Sequence, residues 1–311
     1  MNKKNFKTSI GGQALIEGVM MRGPEISALA VRKPNKEIVV ETWHTNKTQK
    51  KPWYWYKKTP FVRGCVNFVE MLIIGYKTLM RSAELSEMEE EPDKLEKWLN
   101  DKLGDKAAAV ISSITLVLGL ALALGLFVIL PTLLVSLLKN ITDSQVILTT
   151  AEAITKIGIF VAYLALVSKN KDIERVFMYH GSEHKTIACY EAGEELTPEN
   201  AKKYTRFHPR CGTSFLFIIL MVSILIFSFA SWENPVMRIV MKILLLPLVV
   251  GISYEIIKLA GRYDNFLTRA VSAPGLWLQR LTTKEPDLDM LEVAIASIKP
   301  CIPEQKGADE W

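Results

Sequence analysis

The sequence has few cysteines and few histidines, and neither sign of charge is in large excess. Its 311 residues include 4 Cys and 4 His, and 38 Lys+Arg against 33 Asp+Glu give a net charge of +5. Four scattered cysteines are too few for a disulfide scaffold. Because 49% of the residues are hydrophobic, the chain is not intrinsically disordered. We expect the small positive excess to face anionic lipids, and we expect no nucleic-acid partner.

The apolar core of a signal peptide is also missing. The segment 11–21 follows three lysines, but Gln13 and Glu17 interrupt it, so we expect no signal peptide. The cysteines are then expected in or near a reducing compartment, where they would act as ligands, nucleophiles or packing residues.

Charged residues are absent from two long stretches, 107–138 and 213–232. Apolar runs of about 18 residues or more are typical of membrane-spanning helices. Two further stretches, 147–168 and 236–259, are long enough to cross a bilayer but contain a few charges. The sequence therefore predicts a mainly α-helical, polytopic protein of the lipid bilayer with about four transmembrane helices.

The pattern divides the chain into six segments. These are an N-terminal cytoplasmic region (1–60), an interfacial helix with a charged connector (61–106), a first transmembrane hairpin (107–168), a helical cytoplasmic loop (169–212), a second transmembrane hairpin (213–260) and a cytoplasmic tail (261–311) with a short amphipathic stretch at 286–298. Basic residues are frequent in 1–106 and 169–212, whereas the connection 139–146 has only Lys139 and the connection 233–235 has none. Basic residues mark the cytoplasmic side, so both termini should face the cytoplasm from the cell membrane.

The N-terminal region combines β-strand signals with a membrane-surface signal. A turn at 34–36 separates 26–31 from 37–43, which predicts a small β-hairpin, and the glycines before it indicate special dihedrals or close backbone approach. Lysine pairs flank alternating Trp and Tyr in 50–58. This pattern suits stacking on single-stranded nucleic acid, but it suits an anchor at the membrane interface better. The helix predicted at 61–80 contains charges that favour an interfacial position over a fifth span. An amphipathic helix is predicted within the connector 84–105.

Charged residues within the predicted spans need partners or a wet cavity. Glu152 and Lys156 are spaced to pair along one helix, and Arg238 is placed to snorkel to the outer interface. A wet bundle lined by such groups would also suit a transporter or a channel.

Three of the four histidines lie in the loop 169–212. His180 and His184 are four residues apart, so on a helix they share a face and could hold one metal ion, with Glu183 beside them as a base. The helix is predicted over 174–192 with Gly193 as its cap, although Gly181 within it costs about 1 kcal/mol. A second helix, starting after Thr197 and running to about residue 206, would deliver the next pair of ligands.

That pair is His208 and Cys211, and the number of ligands separates two functions. Four ligands close the site around a structural ion, and such ligands predict zinc. Three ligands leave a position for catalysis with Glu183 as the base. A hydrogen-bonded histidine cluster without metal stays open as a third interpretation.

Four further residues are candidates for accessory roles. Glu191 shares a face with His184 but lies too far along the helix to bind the same ion, which places it behind the ligands. Glu17 and Arg22 of the glycine-rich segment are expected to complete the site, and Glu255 is expected either to point towards the histidine loop or to form a salt bridge at the helix end. The leading hypothesis is a metal-dependent hydrolase at the cytoplasmic membrane face. The competing class is a non-enzymatic membrane protein, such as a homo-oligomeric channel, a transporter or an assembly factor. The substrate stays undetermined under either hypothesis.

These motifs resemble those of the YqhQ family of bacterial membrane proteins. The resemblance rests on the segments 11–24, 180–186 and 206–215 and on the tail residues 285–287, in that order along the chain. The family has no established function and is labelled as a predicted metal-dependent enzyme. The resemblance therefore implies a metal site, but it supplies no catalytic residues.

Overall fold

The computed structural model describes residues 6–45, 52–86, 107–263, 265–305 and 307–310. The chain is mainly helical with one N-terminal sheet, and it divides into two compact units. The first unit comprises Met1–Met88, Leu164–Val222 and Pro247–Trp311, and the second comprises Glu89–Tyr163 and Ser223–Leu246.

The sheet has four antiparallel strands in the order β1-β2-β3-β4. The strands are β1 (Gly11–Leu15), β2 (Gly18–Arg22), β3 (Ile26–Arg32) and β4 (Ile38–His44). The predicted hairpin is β3–β4, in which Ala30 pairs with Val40. The glycine-rich segment forms the other two strands, which its composition did not predict. The residue with positive φ between these two strands is Glu17 (φ 49°), so the glycines at 11, 12 and 18 are not there for left-handed dihedrals.

Ten α-helices are described, together with shorter helical turns. They are α1 (Val62–Leu85), α2 (Ala107–Leu124), α3 (Leu130–Ser136), α4 (Gln145–Val167), α5 (Lys171–Glu191), α6 (Pro198–Lys202), α7 (Gly212–Phe227), α8 (Pro235–Arg262), α9 (Phe266–Thr282) and α10 (Leu288–Ile298). A π-turn, Gly125–Ile129, joins α2 to α3. It lies just before Pro131, whose missing N–H interrupts the regular hydrogen-bond ladder.

The first unit is built around the sheet, whose strands β2 and β3 are buried on both faces. One face, including Leu15 and Leu29, packs against Ile74 and Leu79 of α1. The other face packs against α5 and α10; its apolar cluster includes Val19, Met21, Ala28, Ala30, Tyr179, Ile187, Met290, Val293, Ala294 and Ile298. The segment 286–298, predicted as an amphipathic tail, is therefore a core helix.

The histidine loop folds largely as its sequence predicts. Asn170 caps α5 by accepting hydrogen bonds from the backbone N–H of Asp172 and Ile173, and Gly193 (φ 67°) follows the last turn. Thr197 caps α6 as predicted. Helix α6 ends at Lys202 rather than near residue 206. The carbonyl groups from Lys202 onward accept hydrogen bonds from side chains of α5 instead of continuing the helix.

Three described helical segments are long and apolar enough to cross a membrane: Ser113–Asn140, Gln145–Val167 and Pro235–Arg262. About four were predicted. The fourth candidate, α7, is a 16-residue apolar helix that stops at Phe227 instead of continuing to Trp232. Beyond this point the carbonyl groups of Phe227 and Ala230 accept hydrogen bonds from Arg238.

Two predictions about charges in the spans are wrong. Glu152 does not pair with Lys156 along α4; it binds Arg238 and Lys242 of α8, whereas Lys156 donates to Ser223. Arg238 does not snorkel, since it is only 1% exposed. In both cases a partner on another helix replaces the solvent or the local neighbour that the sequence suggested.

Parts of the aromatic and charged segments lie outside the description. The helix predicted within 84–105 falls mainly on residues 87–106, and Lys50 and Lys51 are also not described. Residues Pro52–Lys57 form a 3-10 helix in which Trp55 is 64% exposed.

The buried position of α10 generates a stability prediction. Leu291→Ala should lower the free energy of unfolding by about 2–5 kcal/mol, because Leu291 is fully buried and the truncation leaves a cavity. Leu288→Ala on the same helix is the matched control, because Leu288 is 40% exposed. Both variants can be compared with wild type by thermal unfolding in detergent, followed by circular dichroism. Equal losses in the two variants would contradict the core position of α10.

Candidate functional site

Helix α5 carries His180 and His184 one turn apart, with their ring centroids 4.4 Å from each other. Gly181 lies between them for a steric reason. A Cβ atom built on Gly181 would lie 2.1 Å from the carbonyl oxygen of Lys284, so only glycine lets the segment after α9 approach the helix this closely. Glycine lowers the stability of the helix, which weakened the sequence-based prediction, but the contact with Lys284 requires it.

Backbone carbonyl groups fix both histidine rings. The Nδ1 atom of His180 is 2.8 Å from the carbonyl oxygen of Thr282, and the Nδ1 atom of His184 is 2.6 Å from that of Arg206. Because a carbonyl only accepts, each Nδ1 must carry the proton and donate it. In the neutral ring this leaves the lone pair on Nε2, which is the usual arrangement of a metal-binding histidine.

A buried lysine holds the segment that supplies the Arg206 carbonyl group. Lys185 donates to the carbonyl oxygens of Lys202 (3.1 Å) and Tyr204 (2.7 Å), and its ammonium group lies 2.9 Å from the Glu285 carboxylate. These bonds take up the carbonyl groups at the end of α6, which explains why that helix ends early.

Cys211 directly precedes α7 and completes a cluster of three. Its Sγ atom is 3.1 Å from the Nε2 atom of His180 and accepts a hydrogen bond from the backbone N–H of Thr213 at 3.4 Å. One ligand atom each from His180, His184 and Cys211 lie within 4.8 Å of one another. Cys211 and His184 are buried, and His180 is partly buried.

Glu183 is buried beside this cluster and is bound by the glycine-rich segment. Its Oε1 atom accepts a hydrogen bond from the backbone N–H of Gly12 at 3.0 Å. A Cβ atom on Gly12 would lie 2.5 Å from the Met20 carbonyl oxygen and 3.1 Å from Cδ of Glu183, so a side chain does not fit there. The N-terminal segment thus reaches the site through a backbone N–H.

The cluster strongly shifts the pKa values of its members. Burial opposes ionisation of Cys211, but the neighbouring His180 and His184 hold the pKa of the thiol well below its usual range. Burial likewise opposes protonation of His180, yet the charge on Cys211 raises the pKa of the imidazole to about 9. Burial raises the pKa of Glu183, and the two histidines only partly offset this effect.

His208 lies next to the cluster but turns towards another partner. Its ring centroid is 5.5 Å from that of His184, and its Nε2 atom is 3.9 Å from Oε2 of Glu191. Burial lowers the pKa of His208. Glu191 also pairs with Arg210 and accepts a hydrogen bond from the backbone N–H of Thr8 at 2.8 Å. Glu191 therefore supports His208 from behind the cluster, the kind of position that its spacing on the helix indicated.

The structure does not bring the other accessory candidates to the cluster. Glu17 binds Arg175 with 2.6 Å contacts. Arg22 lies 3.9 Å from Glu70. Glu255 forms a salt bridge with Arg63 on α1, with an Nε to Oε1 distance of 2.8 Å, and so takes the second of its two expected roles.

The groups that sequence reasoning missed are the carbonyl groups of Thr282 and Arg206, the N–H of Gly12 and the side chain of Lys185. Backbone groups have no signature in a side-chain pattern. Lys185 directly follows the histidine motif, and this position was the available signal.

Comparison with known proteins identifies relatives but no activity. The chain is 30% identical over 298 residues to the uncharacterized protein YqhQ of Bacillus subtilis (strain 168), a match that covers 96% of this chain and 93% of YqhQ. No solved structure matches the chain. A family model described as a protein of unknown function (DUF1385) matches residues 59–304, which include the whole His–Cys cluster and its carbonyl partners. The chain therefore belongs to the DUF1385 family of proteins of unknown function.

Proposed function

We propose that this protein is a membrane-bound, metal-dependent hydrolase whose zinc-type centre is formed by His180, His184 and Cys211. The observation that carries the proposal is the pair of Nδ1–carbonyl hydrogen bonds, which makes the Nε2 atom of each ring the candidate ligand atom. At His180 this requires release of the proton that Nε2 shares with Cys211. Zinc bonds of about 2.0–2.3 Å in tetrahedral geometry require ligand atoms roughly 3.5 Å apart. The 3.1 Å distance from His180 to Cys211, and the 4.8 Å limit for the whole set, are compatible with this geometry after small side-chain adjustments.

The count of three ligands favours catalysis over a purely structural ion. His208, the fourth predicted ligand, lies against Glu191 and Arg210 instead. A three-ligand centre keeps one position open, and a bound ion would supply Lewis acidity there at neutral pH. Glu183 is the residue to accept a proton, because its carboxylate is buried beside the ligands and the N–H of Gly12 orients it.

A second candidate function follows from one contact. The 3.1 Å distance between Cys211 Sγ and His180 Nε2, at the start of a helix, is also that of a thiolate–imidazolium pair in a cysteine-nucleophile enzyme. The two candidates differ in whether the thiolate binds an ion or attacks a substrate, so metal content and thiol reactivity distinguish them.

The membrane location is supported by a parity argument. Residues 8–9 near the N-terminus bond with residues 309–310 near the C-terminus, and α5 packs against the same sheet. All three segments must therefore lie on one side of any membrane. A crossing by α8 then requires α7 to cross as well, because α7 and α8 are the two apolar helices between α5 and α10. This gives four crossings from three long helices and one short one, with both termini on the cytoplasmic side that the basic residues indicate.

Helix α1 fits an interfacial position in this arrangement. Its residues from Ile74 onward pack against the sheet, so only Val62 to Ile73 remain available to a membrane. That length is about 18 Å, well short of the roughly 30 Å hydrocarbon core. Val69, Leu72 and Ile73 are each about half exposed, as expected for an apolar face that contacts lipid.

The metal proposal predicts one divalent ion per chain. Purified wild type should contain about one zinc ion by elemental analysis, and His184→Ala and Cys211→Ala should retain only a small fraction of it, because each removes a ligand. His44→Ala and Cys189→Ala are the matched controls, since His44 is exposed on β4 and Cys189 packs in a separate apolar cluster. Both controls should retain the ion.

A well-folded wild type that binds no divalent ion would contradict the metal proposal. The cysteine-nucleophile alternative then predicts that Cys211 reacts with iodoacetamide at pH 6, because the pKa of its thiol is low. Cys189 is the internal reference, since burial raises the pKa of its thiol.

The role of Glu183 can be tested separately from metal binding. Glu183→Gln keeps the size of the side chain and should retain the ion, but it should lower turnover by about 10²–10⁴-fold, as expected for loss of a general base. The measurement is the rate on whichever ester, amide or phosphoester the wild type hydrolyses in a screening panel. Wild-type turnover in the variant would assign Glu183 a structural role.

The parity argument predicts the side on which three exposed positions lie. Cysteines introduced at Asn140 and Glu233 should react with a membrane-impermeant maleimide in intact cells, whereas a cysteine at Glu199 should react only after permeabilisation. The unmodified chain is the control for its own cysteines. If the cysteine at position 233, like that at position 199, reacted only after permeabilisation, α7 would not cross the membrane.

A further inference from the structure

Four charged side chains lie inside the apolar helices of the second unit. Glu152 and Lys156 are on α4, and Arg238 and Lys242 are on α8. None of them is more than 7% exposed. Glu152 is seven residues into its helix, which corresponds to a depth of about 10 Å. Charges at such depth are costly and are usually retained for a function.

The single carboxylate of this group is shared by two cations. Glu152 Oε2 lies 2.8 Å from Nη2 of Arg238, and its Oε1 atom accepts hydrogen bonds from Lys242 and, at 2.7 Å, from the hydroxyl of Thr132. Arg238 is also stacked on Trp232, with its guanidinium carbon 4.0 Å from the ring. These three hydrogen bonds therefore use most of the acceptor capacity of Glu152.

Lys156 is left without a carboxylate partner among the residues that the structure describes. Its ammonium group donates to the hydroxyl of Ser223 at 2.8 Å and lies 4.7 Å from the ring centroid of Phe227. When all three are protonated, Lys156, Arg238 and Lys242 set three positive charges against the one negative charge of Glu152, an excess of two. Uncompensated charge in a site of low dielectric constant is strongly unfavourable, and an anion would reduce the excess.

A small cavity of about 10 Å³, room for about one water-sized guest, lies against this cluster. Lys156, Lys242 and Glu152 form its charged wall, and Thr149 adds a hydroxyl. The rest of its lining is apolar: Phe127, Val128, Pro131, Ala153, Ile224 and Phe227. We propose that this cavity binds a small monovalent anion of the size of chloride, held between the ammonium groups of Lys156 and Lys242. The apolar walls favour a halide over phosphate, because the four oxygens of phosphate would need more donors than the cavity offers.

The test is direct detection of bound chloride by ³⁵Cl NMR on the full chain in detergent. Wild type should broaden the chloride line saturably, and bromide should reverse the broadening by competition whereas gluconate, which is too large for the cavity, should not. Lys156→Gln keeps a polar side chain of similar length but removes the charge, and it should weaken chloride binding at least tenfold.

Lys139→Gln is the matched control. Lys139 belongs to the same unit, but its ammonium group donates to the backbone carbonyl of Trp232 at 2.7 Å, away from the cavity lining, so its removal should leave the broadening unchanged. Absence of saturable broadening by wild type would overturn the proposal without reference to any variant. Broadening that survives in Lys156→Gln and disappears in Lys139→Gln would place the anion elsewhere and would overturn it too.

Discussion

The hydrogen bonds from two histidine rings to two backbone carbonyl groups are the interactions on which the candidate site depends. They fix the ring orientations of His180 and His184 and decide which nitrogen atoms face Cys211. The carbonyl groups are in place because Gly181 admits the chain after α9 and because Lys185 ties down the chain after α6. One turn and a half of α5 therefore carries two of the three residues of the cluster together with Gly181 and Lys185, which help to orient them.

These contacts also explain why the chain has residues that are by themselves unfavourable in a helix or in a core. Glycine inside a helix costs about 1 kcal/mol relative to alanine, and a buried lysine needs several acceptors to offset its desolvation. At Gly181 and Lys185 the contacts that offset these unfavourable free energies are the same contacts that form the site. The same holds for Gly12 on β1, where the lack of a side chain lets its N–H reach Glu183. Fold and site cannot be varied independently at these positions.

The sequence predicts the local parts of this arrangement better than the long-range parts. The helix ends at Gly193 and Thr197 and the hairpin β3–β4 rest on neighbouring residues, so local rules apply to them. The burial of α10 and the partners of Glu152 depend on segments far away in the chain. Spacing alone could place His180 and His184 on one face, but it could not show that the acceptors for their Nδ1 atoms are main-chain groups.

The two polar clusters of this protein offer opposite kinds of ligand atom. At the His–Cys cluster the Nδ1 protons of both rings are turned outward to carbonyl groups, so the Nε2 atoms and a thiolate face inward, an arrangement that favours a cation. In the second unit the carboxylate of Glu152 is already occupied by two cations, and Lys156 directs N–H donors into an apolar surrounding, an arrangement that favours an anion. Net charge alone would not separate the two cases. What separates them is which atoms are already bonded within the protein and which are left to face the space between the side chains.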